Sequence, residues 1–157
     1  MKIKMLVMDV DGTLTDGHIY ISPEGECMKA FNVKDGYGIV QMQRGGVLPV
    51  IITGRTSKIV AERAKELNIT ELYQGIDDKL EQLKQIARKY GISSQEIAYI
   101  GDDMNDLECM EFCELSACPA DAYLEIHQKV NFVCHYEGGS GAVREFADYI
   151  MQINKEQ

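Results

Sequence analysis

Residues 3–8, IKMLVM, form an almost unbroken apolar run that passes directly into the carboxylates of DVDGTLTDG. A strand with apolar side chains at successive positions has to be covered on both faces, and such strands belong to parallel sheets flanked by helices. The rest of the chain keeps to that plan. The β-prone runs VIITG, ELYQG, IAYIGDD, ELSACP and NFVCH follow, with amphipathic stretches between them. Leu80, Leu83, Ala87 and Tyr90 recur at helical spacing, and so do Val143, Phe146, Ala147 and Ile150. The alternation predicts an α/β fold, a three-layer Rossmann-like sandwich with a central parallel sheet.

Two places break the rhythm. Pro49 in GVLPVIITG has no N–H for a ladder, so the second sheet strand either carries its proline at an unpaired position or starts at Val50, and the late start is preferred. In GHIYISPEGECMKAF, two β-prone pieces flank Pro23-Glu24-Gly25, which predicts a β-hairpin flap after the first strand. A length of 157 residues with 45% hydrophobic content suits one globular domain, residues 1–157. The formal charge of -9 argues against nucleic acid and against an anionic membrane surface as partners. No stretch reads as a signal peptide or membrane span, so a cytoplasmic location is expected. The five cysteines contain no CxxC pair and are expected to be reduced core residues, and the three histidines have no ligand spacing.

Like charges at the end of a buried strand repel and resist ionising unless a cation or a set of donors holds them. Asp9 and Asp11 therefore ask for a ligand, while Asp16, just before a glycine, reads as a turn former. Open parallel sheets bind ligands at the carboxyl ends of their strands. There the sequence brings Asp9 and Asp11 after the first run, Thr53-Gly54-Arg55 after the second, Asp102-Asp103 after IAYIG, and Lys79 after LYQGIDD. Carboxylates, a hydroxyl and an ammonium suit magnesium, which takes hard oxygen ligands, and a phosphoryl group. In such a pocket Asp9 would attack phosphorus, and Asp11 would protonate the leaving oxygen and later activate water. Thr53 and Lys79 would stabilise the equatorial oxygens. Lys79 opens a helix, where a cation is electrostatically misplaced, which favours a functional role. Asp102 and Asp103 could also cap a helix beginning near Asn105, but their place at a strand end favours ligation. Ser140 in EGGSGAVRE lies near the N-cap of a last helix.

Taken in order, DVDGT, TGR, a lysine and GDDMND resemble the four-motif signature of the haloacid dehalogenase superfamily of phosphohydrolases. The resemblance implies that Asp9 is the nucleophile, Asp11 the general acid/base, and Thr53 and Lys79 the phosphoryl-binding pair. It implies that Asp102 binds the metal with the Asp9 carboxylate and the Asp11 carbonyl, with Asp103 and Asp106 supporting the metal site. Neither Asp9 to Thr53 nor Thr53 to Lys79 leaves room for a cap domain. A capless site takes a macromolecular substrate or borrows cover from a neighbouring subunit.

Longer stretches, DVDGTLTDGHIYISPEGE, FNVKDGYGI, AYIGDDMND and GGSGAVREFADYI among them, resemble the 3-deoxy-D-manno-octulosonate 8-phosphate (KDO 8-phosphate) phosphatases of lipopolysaccharide synthesis. That implies a small phosphorylated sugar-acid substrate, Mg2+ as cofactor, and a homotetramer whose hairpins pack together while neighbouring subunits cover each active site. It also implies that Arg55, with Gly54 beside it, Arg63 and the glycine-rich tail segment lie near the sugar acid, whose carboxylate suits a guanidinium fork. A related branch handles nine-carbon keto-acid 9-phosphates and carries a shorter or acidic residue at the position of Arg55. Arginine there favours the eight-carbon substrate. Three other readings compete: a phosphoacceptor signalling domain, a phosphatase acting on phosphoproteins, and a non-catalytic oligomerisation module, which the intact Asp9 and Asp11 disfavour.

Overall fold

The structure, a computed structural model, describes residues 2–157. In chain order it contains β1 (Met5–Met8), the hairpin β2 (Tyr20–Ser22) and β3 (Gly25–Met28), α1 (Val33–Arg44), β4 (Leu48–Ile52), α2 (Lys58–Glu66) and β5 (Glu71–Tyr73). It continues with α3 (Lys79–Tyr90), β6 (Ile97–Ile100), α4 (Leu107–Phe112), β7 (Leu115–Cys118), β8 (Phe132–Val133) and α5 (Ala142–Lys155). Six strands form one sheet in the order β5-β4-β1-β6-β7-β8, and every pairing in it is parallel. The antiparallel hairpin stands apart as a two-stranded sheet.

Central β1 explains its own composition. Leu6 and Met8 pack into a core shared with Ile39 and Met42 of α1, Val60 of α2 and Phe146 of α5. Met5 and Val7 face the opposite layer, against Leu83 and Ile86 of α3 and Met110 of α4. All four strand residues are buried, each large side chain contributing about 1.5–3 kcal/mol on leaving water. The expected three layers are therefore present, with α1, α2 and α5 on one side and α3 and α4 on the other.

Pro49 corrects one expectation, because it lies inside β4, opposite Leu6, and the strand does not wait until Val50. The ladder tolerates it for a geometric reason. The Leu48 N–H donates to the Lys4 carbonyl on the β1 side at 2.8 Å. Successive amides point to opposite sides of a strand, so the ring nitrogen of Pro49 faces the β5 side, where pairing begins only at Val50 opposite Glu71. Cys27 is a second correction. It sits exposed on β3, whereas Cys109, Cys118 and Cys134 are buried and Cys113 is half-buried.

The start of α5 is held from another helix. Its N-cap is Gly141, which has no side chain to offer; the Asp35 carboxylate of α1 instead accepts from the Arg144 amide at 2.9 Å. Burial pushes the Asp35 carboxyl up to about 6, even against the pull of the α5 amides and the Arg63 charge. Just upstream, Gly138 is pressed onto the loop after β1 so closely that a Cβ there would lie 2.0 Å from the Gly12 carbonyl oxygen. The glycine-rich tail segment thus backs the loop that carries the first acidic residues.

Candidate active site

β1 delivers Asp9 to the carboxyl edge of the sheet, where its N–H donates to the Ile100 carbonyl of β6 at 3.1 Å. The chain then turns tightly. The amides of Thr13, Leu14 and Thr15 all converge on the Val10 carbonyl, and the Thr15 hydroxyl accepts from the amides of Gly12 and Gly17 at 3.2 Å each. Gly12 has φ +89°, and a Cβ on it would lie 2.0 Å from Asp102 Oδ2. Only glycine lets this loop lie against the second acidic strand end.

The acidic cleft occupies about 150 Å³ and is lined by Asp9, Asp11, Thr53, Gly54, Arg55, Asp102, Asp103 and Asn105. Lys79 lies beneath its floor, nearly sealed from solvent, with Nζ 3.0 Å from Asp9 Oδ1 and 2.9 Å from Asp106 Oδ1. Burial pulls the ammonium towards neutrality, but the charges of Asp9 and Asp106 carry it above its ordinary value. Asp106 is fully buried. Its Oδ1 also accepts from the Tyr99 hydroxyl at 2.6 Å, and its Oδ2 from the amides of Asp102 and Asp103 at 3.1 and 3.3 Å.

A carboxylate offers about four lone-pair directions, and Asp106 has filled its own with protein donors. That makes Asp106 a scaffold for Lys79 and the Asp102 loop. Asp9 and Asp102 are different. Burial, followed by the charge of Asp106, pushes Asp9 up to about 6, and burial, followed by the charge of Asp9, pushes Asp102 up to about 8. Two carboxyls that hold protons this tightly lie where a divalent cation would relieve them.

The two aspartates of DVD point different ways. Asp9 lies with Asp102 and Asp106 in a cluster whose ligand oxygens all fall within 4.8 Å of one another. The Asp11 carboxylate turns instead to the hairpin, its Oδ1 2.5 Å from Lys29 Nζ and its Oδ2 3.8 Å from Arg55 Nε. The remaining expected residues divide. Thr53, Gly54 and Arg55 share the cleft wall. Asp103 stands exposed at the rim, its carboxylate accepting from the Met104 amide at 2.7 Å as a cap. Arg63 lies elsewhere: its NH2 donates to the Asn32 carbonyl at 3.3 Å, and its guanidinium covers the Phe31 ring. Asp16 pairs with the His18 ring and accepts from the His18 amide, as a turn residue does.

A family model described as haloacid dehalogenase-like hydrolase matches residues 66–146. The 3-deoxy-D-manno-octulosonate 8-phosphate phosphatase of Salmonella typhi is 43% identical over 149 residues, covering 95% of this chain and 79% of that protein. A crystal structure of the phosphatase of that name from Yersinia pestis superposes with a TM-score of 0.95 at 42% identity, over 98% of this chain and 83% of the other. The Moraxella catarrhalis phosphatase, solved with magnesium, phosphate and KDO, gives 0.94 at 39% identity, over 98% and 88%. The chain belongs to the KDO 8-phosphate phosphatase family of haloacid dehalogenase-like hydrolases.

The donor set fits a hard divalent cation, since the cluster offers carboxylate oxygens alone. The raised carboxyls give this fit a thermodynamic signature. Between the ordinary carboxyl value of 3.8 and about 6 for Asp9, and between 3.8 and about 8 for Asp102, the folded chain keeps a proton that the unfolded chain has already released. Without metal, stability is therefore fully present at the acid end of that window and declines as pH rises through it. Mg2+ selects the deprotonated carboxylates, so saturating magnesium is expected to abolish the decline. Thermal melts with chelator and with magnesium test this; a metal-free melting temperature that climbs from pH 5 to 8 would contradict it.

Sequence reasoning missed the residues that support the acidic pair. Lys29 and Glu26 lie on the hairpin segment, and their opposite charges three residues apart, close behind an acidic strand end, were the available signal. Tyr99 could not be found that way. It reads as one more apolar residue of β6 until Asp106 is seen beside it.

Proposed function

We propose that the chain hydrolyses KDO 8-phosphate to KDO and phosphate through an aspartyl-phosphate intermediate on Asp9, as a cytoplasmic step of lipopolysaccharide synthesis. The observation that carries this reading is the divergence of the two aspartates. Asp9 faces the acidic cluster and Lys79, while Asp11 is held apart with its carboxylate free of that cluster. One carboxylate is thereby placed to attack and the other to move a proton.

In the first step an Asp9 oxygen bonds to phosphorus, the bond from phosphorus to the sugar oxygen breaks, and the Asp11 proton passes to that oxygen. In the second, Asp11 as carboxylate takes a proton from water, whose oxygen bonds to phosphorus and releases Asp9 and phosphate. Asp9, Asp102 and the Asp11 carbonyl would hold magnesium, which supplies charge neutralisation between the nucleophile and the phosphoryl group. Asp103 and Asp106 hold the Asp102 loop in place. The Thr53 hydroxyl stands on the cleft wall to meet a phosphoryl oxygen. Lys79 fixes and screens Asp9 from below.

A cleft of about 150 Å³ holds a phosphoryl group and little more, well under the roughly 300–1,000 Å³ of pockets that enclose a small ligand. The sugar acid therefore projects from it. Exposed Ile21 and Met28 on the hairpin, with Val33 and Tyr37 on α1, supply the apolar contact area of a homotetramer in which neighbouring subunits cover each site. Arg55 has a half-exposed side chain at the mouth, tethered loosely to Asp11 and Glu26 at 3.8 and 3.5 Å. It is free to swing to the substrate carboxylate.

The test is magnesium-dependent phosphate release from KDO 8-phosphate, nine-carbon keto-acid 9-phosphates and simple sugar phosphates. KDO 8-phosphate is expected to give the highest kcat/KM, and Arg55→Glu to raise its KM about 10–100-fold with little change in kcat. A preference for the nine-carbon esters would keep the chemistry and overturn the substrate. Silence across the panel would overturn both.

A further inference from the structure

Lys29 follows β3 and is the only route by which the hairpin touches the acidic pair through a buried side chain among the described residues. Its side chain is 2% exposed, and its Nζ lies 2.5 Å from Asp11 Oδ1 and 3.0 Å from Glu26 Oε2. Glu26 is itself fixed. Its Oε1 accepts from the Ser57 hydroxyl at 2.6 Å, and Ser57 caps α2 by accepting from the Ile59 and Val60 amides. The ammonium thus sits at the end of a chain of charge-assisted contacts rooted in a helix terminus, and it meets the one carboxylate of DVD that faces away from the cluster.

Among the described residues, no other buried side chain pairs with the Asp11 carboxylate. Arg55, its other cation, stands 3.8 Å away with a side chain 51% exposed. Without Lys29, Asp11 would be free to rotate towards the acidic cluster around Asp9, and Glu26 would keep its charge with one donor fewer.

We propose that Lys29 is a positioning residue of the reaction: it holds the Asp11 carboxyl in the orientation from which a proton reaches the leaving oxygen. This rests on the reading of Asp11 as general acid. The hairpin then serves catalysis from within its own subunit, in addition to any contact it makes with a neighbour. A misplaced acid costs most where the leaving group most needs a proton, and a merely structural lysine has no such preference.

The experiment measures kcat/KM, which covers the steps up to leaving-group departure, for two esters. KDO 8-phosphate releases an alkoxide that needs a proton, whereas p-nitrophenyl phosphate releases a phenolate that leaves without one. Lys29→Met is expected to lower kcat/KM about 100-fold for KDO 8-phosphate and less than about threefold for p-nitrophenyl phosphate. Lys29→Arg, which keeps the charge, is expected to show the same asymmetry to a smaller degree, and it carries the test if the methionine variant does not fold. Asp11→Asn is the reference. If it lowers both esters equally, the assignment of Asp11 fails. If it is asymmetric while the Lys29 variants lower both esters equally or neither, Lys29 has only a structural role and the proposal is overturned.

Discussion

Asp9→Asn is expected to lower kcat for KDO 8-phosphate by at least about four orders of magnitude, because no other group in the cleft replaces a lost nucleophile. The same change should not unfold the protein. Asp9 is held above its ordinary carboxyl range, at about 6, by burial and by the charge of Asp106, so its ionised form costs the metal-free fold stability at neutral pH. An amide of the same shape removes that cost. The metal-free variant is therefore expected to melt at or above the parent temperature at pH 8 while binding magnesium more weakly. Coupled loss of activity and of the fold would show that Asp9 is a structural residue instead.

Lys79→Met acts in the opposite sense and should be the most destabilising single change in the site. The ammonium is buried between Asp9 and Asp106, at 3.0 and 2.9 Å, and its removal leaves two buried carboxylates facing each other. Breaking a buried ion pair on one side costs about 3–5 kcal/mol, or roughly 6–20 °C in melting temperature for a domain of this size. Protonation of the stranded carboxylates relieves the repulsion, so the deficit is expected to be smaller at pH 5 than at pH 8. Urea denaturation of parent and variant at both pH values measures it. An equal deficit at the two pH values would mean that lost packing, rather than uncompensated charge, is responsible.

The sequence revealed these parts of the molecule unequally, and the difference follows their physics. Sheet strands and helices were legible because burial on both faces of β1 and on one stripe of α3 and α5 leaves a periodic apolar record. Pro49 misled because a missing donor matters only if something lies opposite it, and the late start of β5 is set by tertiary structure. Asp9, Thr53, Lys79 and Asp102 were legible because strand ends of a parallel sheet converge on one edge. Side-chain direction was not. Nothing in DVD tells Asp9 to face Asp102 and Asp11 to face Lys29, and nothing in TSKIVAER sends Arg63 to Phe31 and the Asn32 carbonyl. Such partners come from residues 18 to 93 positions away, which local pattern does not record.

The most direct measurement is chemical capture of the phosphoryl group during turnover of KDO 8-phosphate with magnesium. The enzyme is mixed with substrate, quenched within one turnover and reduced with borohydride, which converts an aspartyl phosphate to homoserine. Peptide mass analysis should find homoserine at position 9 in the parent enzyme and none in Asp9→Asn. Rapid phosphate release with residue 9 unmodified throughout, or modification at Asp102 in its place, would contradict a phosphoryl transfer through Asp9.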